Sequence, residues 1–307
     1  MEDLGVIVVA GATATGKSEL AVGLAEALGR RGLPAEVVNA DSMLVYKGMD
    51  IGTAKPTMAE RRGIPHHLID IMDVAEPASV AVFQDLARTA IADCRDRGVV
   101  PILAGGSALY LHAIIDHFDF PPTDPALRAR LTQELEEKGA DTMWQRLSAL
   151  DPEAASGIDR GNTRRIVRAL ESIELTGSFR STLPDWTYAL PAVVQVGLRI
   201  ERDEMDARIA ARVGRMWEQG FVEEVQGLLG HGLRGSPTAS RAIGYRQIIQ
   251  FLDGEITEAQ ARESTIVRTR QFSRKQLSWW RRDPRIRWVP AGTGAREVLQ
   301  MLGQGQR

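Results

Sequence analysis

Residues Gly5–Ser18, GVIVVAGATATGKS, decide how the rest of the chain is read. Gly5–Ala10 is an unbroken apolar, β-branched run, the pattern of a strand buried on both faces of a parallel sheet. Gly11–Ser18 matches G-x-x-x-x-G-K-[ST] and falls where that motif must fall, between a strand and a helix. Gly11 and Gly16 permit tight turns, so that the stretch Ala12, Thr13, Ala14 and Thr15 can aim successive N–H groups at phosphate oxygens. The helix that follows offers its unsatisfied N-terminal donors and the positive end of its dipole. Lys17 adds a point charge, and the Ser18 hydroxyl can ligand Mg²⁺. The loop holds phosphates equally well for a kinase, an NTPase or an enzyme that expels pyrophosphate.

Working outward, Lys17–Arg30 reads as a helix with Leu20, Leu24, Ala27 and Leu28 on one stripe, ending before Gly32. Ala35–Asn39 is a second strand, Ser79–Arg97 a helix, Val99–Ala104 a third strand, and Ser107–Ile115 a further helix. This alternation predicts an α/β fold: a P-loop NTPase-like parallel sheet core with helices on both faces. From Asp124 to Gly177 the periodicity is helical only, and Val193–Ile200 then reads as a strand returning to the sheet. The expected organisation is therefore a core of residues 1–120 and 191–307, with a helical insertion at 121–190. Asp203–Gln219, Phe221–Leu229, Arg241–Leu252 and Thr257 to about Arg282 read as helices, and Ile286–Val289 as a last strand.

The 307 residues include 25% charged side chains and a formal net charge of −2, which by itself neither favours nor opposes a nucleic-acid partner. Cys94 is the sole cysteine, so an internal disulfide is excluded and a cysteine-rich zinc site is not expected. His66 and His67 are adjacent on an extended segment, point oppositely and make a poor metal pair. The start of the chain lacks a basic signal-peptide patch and Val6–Ala10 is too short to span a bilayer, so a cytoplasmic protein without a membrane partner is expected. The absence of a long exposed apolar stripe favours a monomer.

Asp41 ends the second strand, and ligands of open α/β sheets bind at such carboxyl ends. Its carboxylate could hold metal-bound water, accept a proton or cap a helix. Residues 41–56, DSMLVYKGMDIGTAKP, have little amphipathic period and read as a shaped loop. Arg164, Arg165 and Arg168 share one helix, with 164 and 168 on one face. Arg241 and Arg246 flank Gly244-Tyr245, where the arginines could pair with phosphates while Tyr245 packs or stacks. Between Arg262 and Arg287 basic residues far outnumber Glu263 and Asp283, which suits attraction to an RNA backbone. Trp279 and Trp280 within that stretch read as core.

GATATGKS, DSMLVYKGMDIGTAKP (41–56), PHHLID (65–70), GGSALY (105–110) and SRAIGYRQ (240–247) together resemble the tRNA dimethylallyltransferases, in order across about residues 5–290. The resemblance implies transfer of a dimethylallyl group from dimethylallyl pyrophosphate to N6 of adenine 37, beside the tRNA anticodon. It implies that Thr13–Ser18 bind the pyrophosphate with Mg²⁺ near Ser18, that Asp41 is the general base, and that Arg212 meets the pyrophosphate. It assigns tRNA contacts to Asp41, Ser42, Met43 and Leu44, to Ser107 and Arg128, to Arg164, Arg165, Ile166, Val167 and Arg168, and to Arg241, Ala242, Ile243, Gly244, Tyr245 and Arg246. Departures are small: Ala12 stands where the family often has Pro, and GGS replaces the commoner GGT with the hydroxyl kept. One cysteine in a chain ending at Arg307 implies the bacterial type, without the zinc-finger extension of eukaryotic members. The nucleotide label ATP-binding follows from the loop motif, while the resemblance gives the loop to the prenyl pyrophosphate. Two other readings compete. A small-molecule kinase would use Asp41 on a hydroxyl acceptor, and a nucleotide-dependent RNA-binding module would bind without transfer.

Overall fold

The computed structural model of the chain describes residues 5–180 and 185–303. The termini and the short stretch 181–184, which the expected domain bounds include, lie outside the described residues.

One compact unit runs to Asp116 and resumes at Tyr188; the other is His117–Thr187. The first holds β1 (Val6–Ala10), α1 (Lys17–Gly29), β2 (Ala35–Asn39), α2 (Met58–Arg61), β3 (His66–His67), α3 (Val80–Asp96), β4 (Val100–Gly105) and α4 (Ala108–Ile115). The second holds α5 (Pro125–Leu150), α6 (Pro152–Ser156) and α7 (Thr163–Thr176). The first then continues with β5 (Val193–Arg199), α8 (Arg202–Glu218), α9 (Phe221–Leu229), α10 (Tyr245–Leu252), α11 (Glu258–Trp280), β6 (Ile286–Pro290) and α12 (Ala295–Gly303).

The sheet is six-stranded in the order β3-β2-β4-β1-β5-β6, and every pair is parallel. Strand β1 lies inside it because both of its faces are apolar. Val6, Val8 and Ala10 pack into a core with Phe83, Leu111, Phe221 and Trp280. Ile7 and Val9 pack into a second core with Leu24, Leu28, Val298 and Leu299. Alternation along one strand thus covers both faces with helices. The chain leaves β1 toward β2 on one side, and β5 closes the other side. The loops after β1, β2 and β4 therefore open together at the carboxyl edge, beside a topological switch point.

Four details differ from expectation. β3 is only two residues long and pairs with Val37 and Val38, too short to show a period. Helix α2 follows a Thr57/Glu60 capping box, and α12 packs against α1 through Val298 and Leu299; neither was expected. The expected helix Arg241–Leu252 is corrected. Ala239–Arg241 forms a 3₁₀ turn and α10 begins only at Tyr245. Gly244 explains the break. It holds φ +93, and a Cβ there would lie 2.6 Å from the Phe221 ring.

In the second unit, Leu131, Met143, Leu147, Ile166 and Leu170 form a separate core. Gly139, at φ 80, kinks α5. Glu171 is fully buried there and accepts bonds from Arg128, Arg168 and the Asp124 N–H. Burial pushes its carboxyl up, but those donors outweigh burial and hold it below its ordinary value.

Candidate active site

The phosphate loop leaves β1 with unusual backbone. Ala14 holds φ 64 and Gly16 φ 94. A Cβ on Gly16 would meet nothing within 4 Å, so the need for glycine there is conformational, not spatial. The Ala12 carbonyl accepts from Thr15 Oγ1 at 2.8 Å and from Lys17 Nζ at 2.7 Å, which fixes the turn.

Helix α8 brings Arg212 to the loop. Its Nη1 donates to Thr13 Oγ1 at 3.2 Å and its Nη2 to the Thr53 carbonyl at 3.2 Å. One guanidinium thus ties the phosphate loop to the 41–56 loop. A cavity of about 400 Å³ opens beside them, lined by Gly16, Lys17, Ser18, Ala54, Arg208 and Arg215 among others. Burial drives the Lys17 ammonium down to about 8; Asp41 opposes that shift and Arg212 adds to it. Burial also lowers Arg212, with Asp41 again opposing and Arg215 contributing. Two desolvated cations therefore repel each other and share one carboxylate. An anion of higher charge in this cavity would relieve both.

Asp41 follows β2. Its N–H donates to Asn39 Oδ1 at 2.8 Å, and Asn39 Nδ2 donates to the Asp41 carbonyl at 2.9 Å and the Leu68 carbonyl at 3.0 Å. Asp41 Oδ1 accepts the Met43 N–H at 3.0 Å. Its Oδ2 accepts no bond among the described residues and is open to another donor. The end of β4 packs against this segment. A Cβ on Gly105 would lie 2.4 Å from the Ala40 carbonyl oxygen, so only glycine permits that approach.

The 41–56 loop is held from two sides. Glu224 of α9 accepts the N–H groups of Asp50, Ile51 and Gly52 at 3.0, 2.6 and 3.2 Å, and also the Tyr245 hydroxyl at 2.6 Å. Buried Lys55 donates to the Tyr46 carbonyl at 2.8 Å, to Asp50 at 2.6 Å and to Asp70. Glu224 carries no local sequence signal, because its loop partners lie more than 170 residues away, whereas Lys55 closes the loop on its own Tyr46 and Asp50.

The RNA-facing expectations divide. Ser42, Met43, Leu44 and Ser107 are half-buried beside Asp41 and the β4 end, and Arg241 and Arg246 are exposed. Ala242 and Ile243 are half-buried, whereas Gly244 and Tyr245 are buried. Tyr245 packs edge-on against Phe221, with ring centroids 5.0 Å apart, and is not free to stack on a base. In the second unit Arg164 and Arg165 are exposed. The side chains of Ile166 and Val167 are corrected: they lie in that unit's core and present nothing to a ligand. Arg168 is likewise committed, to Glu171 and to the carbonyls of Pro121 and Pro122. Arg128 is exposed and paired with Glu171. Along α11 and just past its end, Arg262, Arg268, Arg274, Lys275, Arg281 and Arg282 are exposed, although Asp206 takes part of the charge of Arg270 and Arg274. Trp280 is fully buried, as expected.

Cys94 is buried beside Glu36 and His67, and the three ligating atoms converge. Arg97 already holds both Glu36 oxygens, at 2.9 and 2.7 Å, and His67 Nε2 lies 2.6 Å from Glu36 Oε2. Burial and the Glu36 charge push the thiol up to about 12. The cluster is a satisfied hydrogen-bond network.

No helix among the described residues is long and apolar enough to cross a membrane. The IPP transferase family model matches residues 44–283. A tRNA dimethylallyltransferase from Thermobifida fusca is 56% identical over 286 residues, covering 93% of this chain and 89% of that one. A full-length tRNA isopentenylpyrophosphate transferase from Bacillus halodurans superposes with a TM-score of 0.72 at 36% identity, covering 98% of this chain and 96% of that chain. A eukaryotic dimethylallyltransferase solved acting on tRNA gives a TM-score of 0.77 at 26% identity, covering 97% of this chain and 78% of that one. Sequence, fold and the cationic cavity at the phosphate loop lead to one assignment: the chain belongs to the tRNA dimethylallyltransferases, a family of prenyltransferases.

Proposed function

We propose that this chain moves a dimethylallyl group from dimethylallyl pyrophosphate to N6 of adenine 37 in tRNA. The observation that carries the reading is that Arg212 bonds both Thr13 of the phosphate loop and the Thr53 carbonyl of the loop that begins at Asp41, so carboxylate and anion-binding cations border one crevice.

The N6 lone pair is delocalised into the purine and is a weak nucleophile. As the N6–C1 bond forms, the proton on N6 passes to Asp41, whose Oδ2 is open. The C1–O bond breaks, and its electron pair leaves on the diphosphate. Lys17, Arg212 and the loop amides stabilise that growing charge. Ser18 presents an exposed hydroxyl to the cavity, a hard oxygen donor that suits Mg²⁺. Bound there, Mg²⁺ would neutralise charge on the leaving group. The adenine must leave its stack to reach Asp41, so a flipped base is part of the reading. Exposed Arg241, Arg246, Arg164 and Arg165 would pair with tRNA phosphates, and the half-buried Ser42, Met43, Leu44 and Ser107 would surround the base.

The test is mass spectrometry of tRNA incubated with the chain, dimethylallyl pyrophosphate and Mg²⁺ without ATP. The expected result is a gain of one prenyl group at adenine 37. Asp41→Ala should cut the rate by about 10²–10⁴-fold while tRNA still binds. A modification that needs ATP, or tRNA binding with no transfer by the wild type, would replace this reading with a kinase or a binding module.

A further inference from the structure

Gln276 sits on α11 and is buried, 6% exposed. Its Oε1 accepts the Thr13 N–H of the phosphate loop at 2.9 Å. Its Nε2 donates to the Gly106 carbonyl, after β4, at 2.8 Å. The orientation of the amide is fixed by these partners, since an N–H can only donate and a carbonyl can only accept. Gly106 leaves room for this contact: a Cβ there would lie 2.5 Å from Gln276 Nε2. The same Thr13 offers its Oγ1 to Arg212. A neutral side chain with an acceptor and a donor side by side therefore joins the loop that follows β1 to the turn that follows β4. Strand β4 ends just before that turn at Gly105, which packs on Ala40 next to Asp41.

We propose that Gln276 is a positioning residue for the reaction. It sets the spacing between the phosphate loop and the Gly106–Ser107 turn, and so between the departing diphosphate and the group that receives the proton. It also occupies the Thr13 N–H, so the amides offered to phosphate begin beyond Thr13. This inference rests on the transferase reading above. Reactions in line are sensitive to such spacing, where a displacement of about 1 Å can cost about 10²-fold.

Two variants test it. Gln276→Met keeps the length and loses both bonds. The expected result is a kcat lower by about 10–100-fold, a KM for tRNA near wild type and faster hydrogen exchange at the Thr13 amide. Gln276→Glu turns the amide into a titrating group. Its protonated carboxyl can accept from Thr13 and donate to Gly106 as glutamine does, whereas its ionised form cannot donate and repels the diphosphate. The ratio of variant to wild-type kcat should therefore be highest at the lowest pH assayed and fall as pH rises. Wild-type kcat in a folded Gln276→Met overturns the proposal. So does a pH-independent ratio for Gln276→Glu, which would mark a merely structural role. Should the wild type transfer no prenyl group, the transferase reading fails on its own. The positioning role is then read from Thr13 exchange, and exchange unchanged in Gln276→Met overturns it.

Discussion

Two half-buried arginines of this chain answer to opposite rules. Arg285 is forked onto Asp116 at 2.7 and 2.9 Å and onto Asp283 at 2.9 and 2.8 Å, and it lies 4.1 Å over the Tyr188 ring. His112 Nδ1 meets Asp116 at 2.8 Å, and Gln195 donates to Asp283 at 3.1 Å. Burial alone would lower Arg285, but Asp116 and Asp283 raise it above its ordinary value. Arg212 has no such pair. It donates to a hydroxyl and a backbone carbonyl, lies near Lys17, and falls below its ordinary value through burial. The first arrangement gives the guanidinium four bonds to two carboxylates and anchors the place where the chain leaves at Asp116 and returns at Tyr188. The second leaves positive charge under-compensated, which costs stability and favours an anion.

The contrast can be broken by mutation. Arg285→Met leaves Asp116 and Asp283 buried with too few donors and should cost about 3–5 kcal/mol in urea unfolding, with pyrophosphate affinity per folded molecule unchanged. Arg212→Ala should do the reverse. We expect kcat/KM for the prenyl donor to fall by about 10²-fold, with a melting temperature at or above wild type because an unpaired buried charge is gone. A lowered melting temperature with normal donor kinetics would mean that Arg212 is structural. The contrast sharpens with pH. Lys17 is held at about 8 in the free protein, and a bound anion favours its charged form. Pyrophosphate binding should therefore take up a proton near that pH. Affinity should weaken as pH rises through it, by up to about tenfold per unit; calorimetry in buffers of different ionisation heat reads both. The smallest effect is expected at the exposed arginines. Arg241→Ala should weaken tRNA binding a few-fold and reduce the salt slope by about 1, leaving donor kinetics unchanged.

Much of this frame was legible before any coordinate. Strands β1 and β4 announce themselves because both-face burial demands continuous apolar runs, and the phosphate loop because its chemistry fixes residue types at fixed spacing. Asp41 was found from its place at a strand end. What stayed hidden acts over long chain distances. Gln276 and Thr13 are 263 residues apart, and Glu224 reaches back 173 residues to Ile51; neither bond leaves a local pattern. The helix expected from Arg241 failed because the reason for Gly244 is the ring of Phe221, invisible to periodicity. Ile166 and Val167 belong to a contiguous motif, but the 3.6-residue period of the helix turns both toward the second unit's core while Arg164 and Arg165 face outward.

Because β1 sends alternate side chains into separate cores, its reading frame is locked like a key cut on both edges. Adding or deleting a single residue between Val6 and Ala10 would exchange the two sets of teeth at once. The anion loop hangs directly from that strand. Its height above the sheet is therefore indexed by two independent cores, which is a stronger guarantee of placement than any bond within the loop.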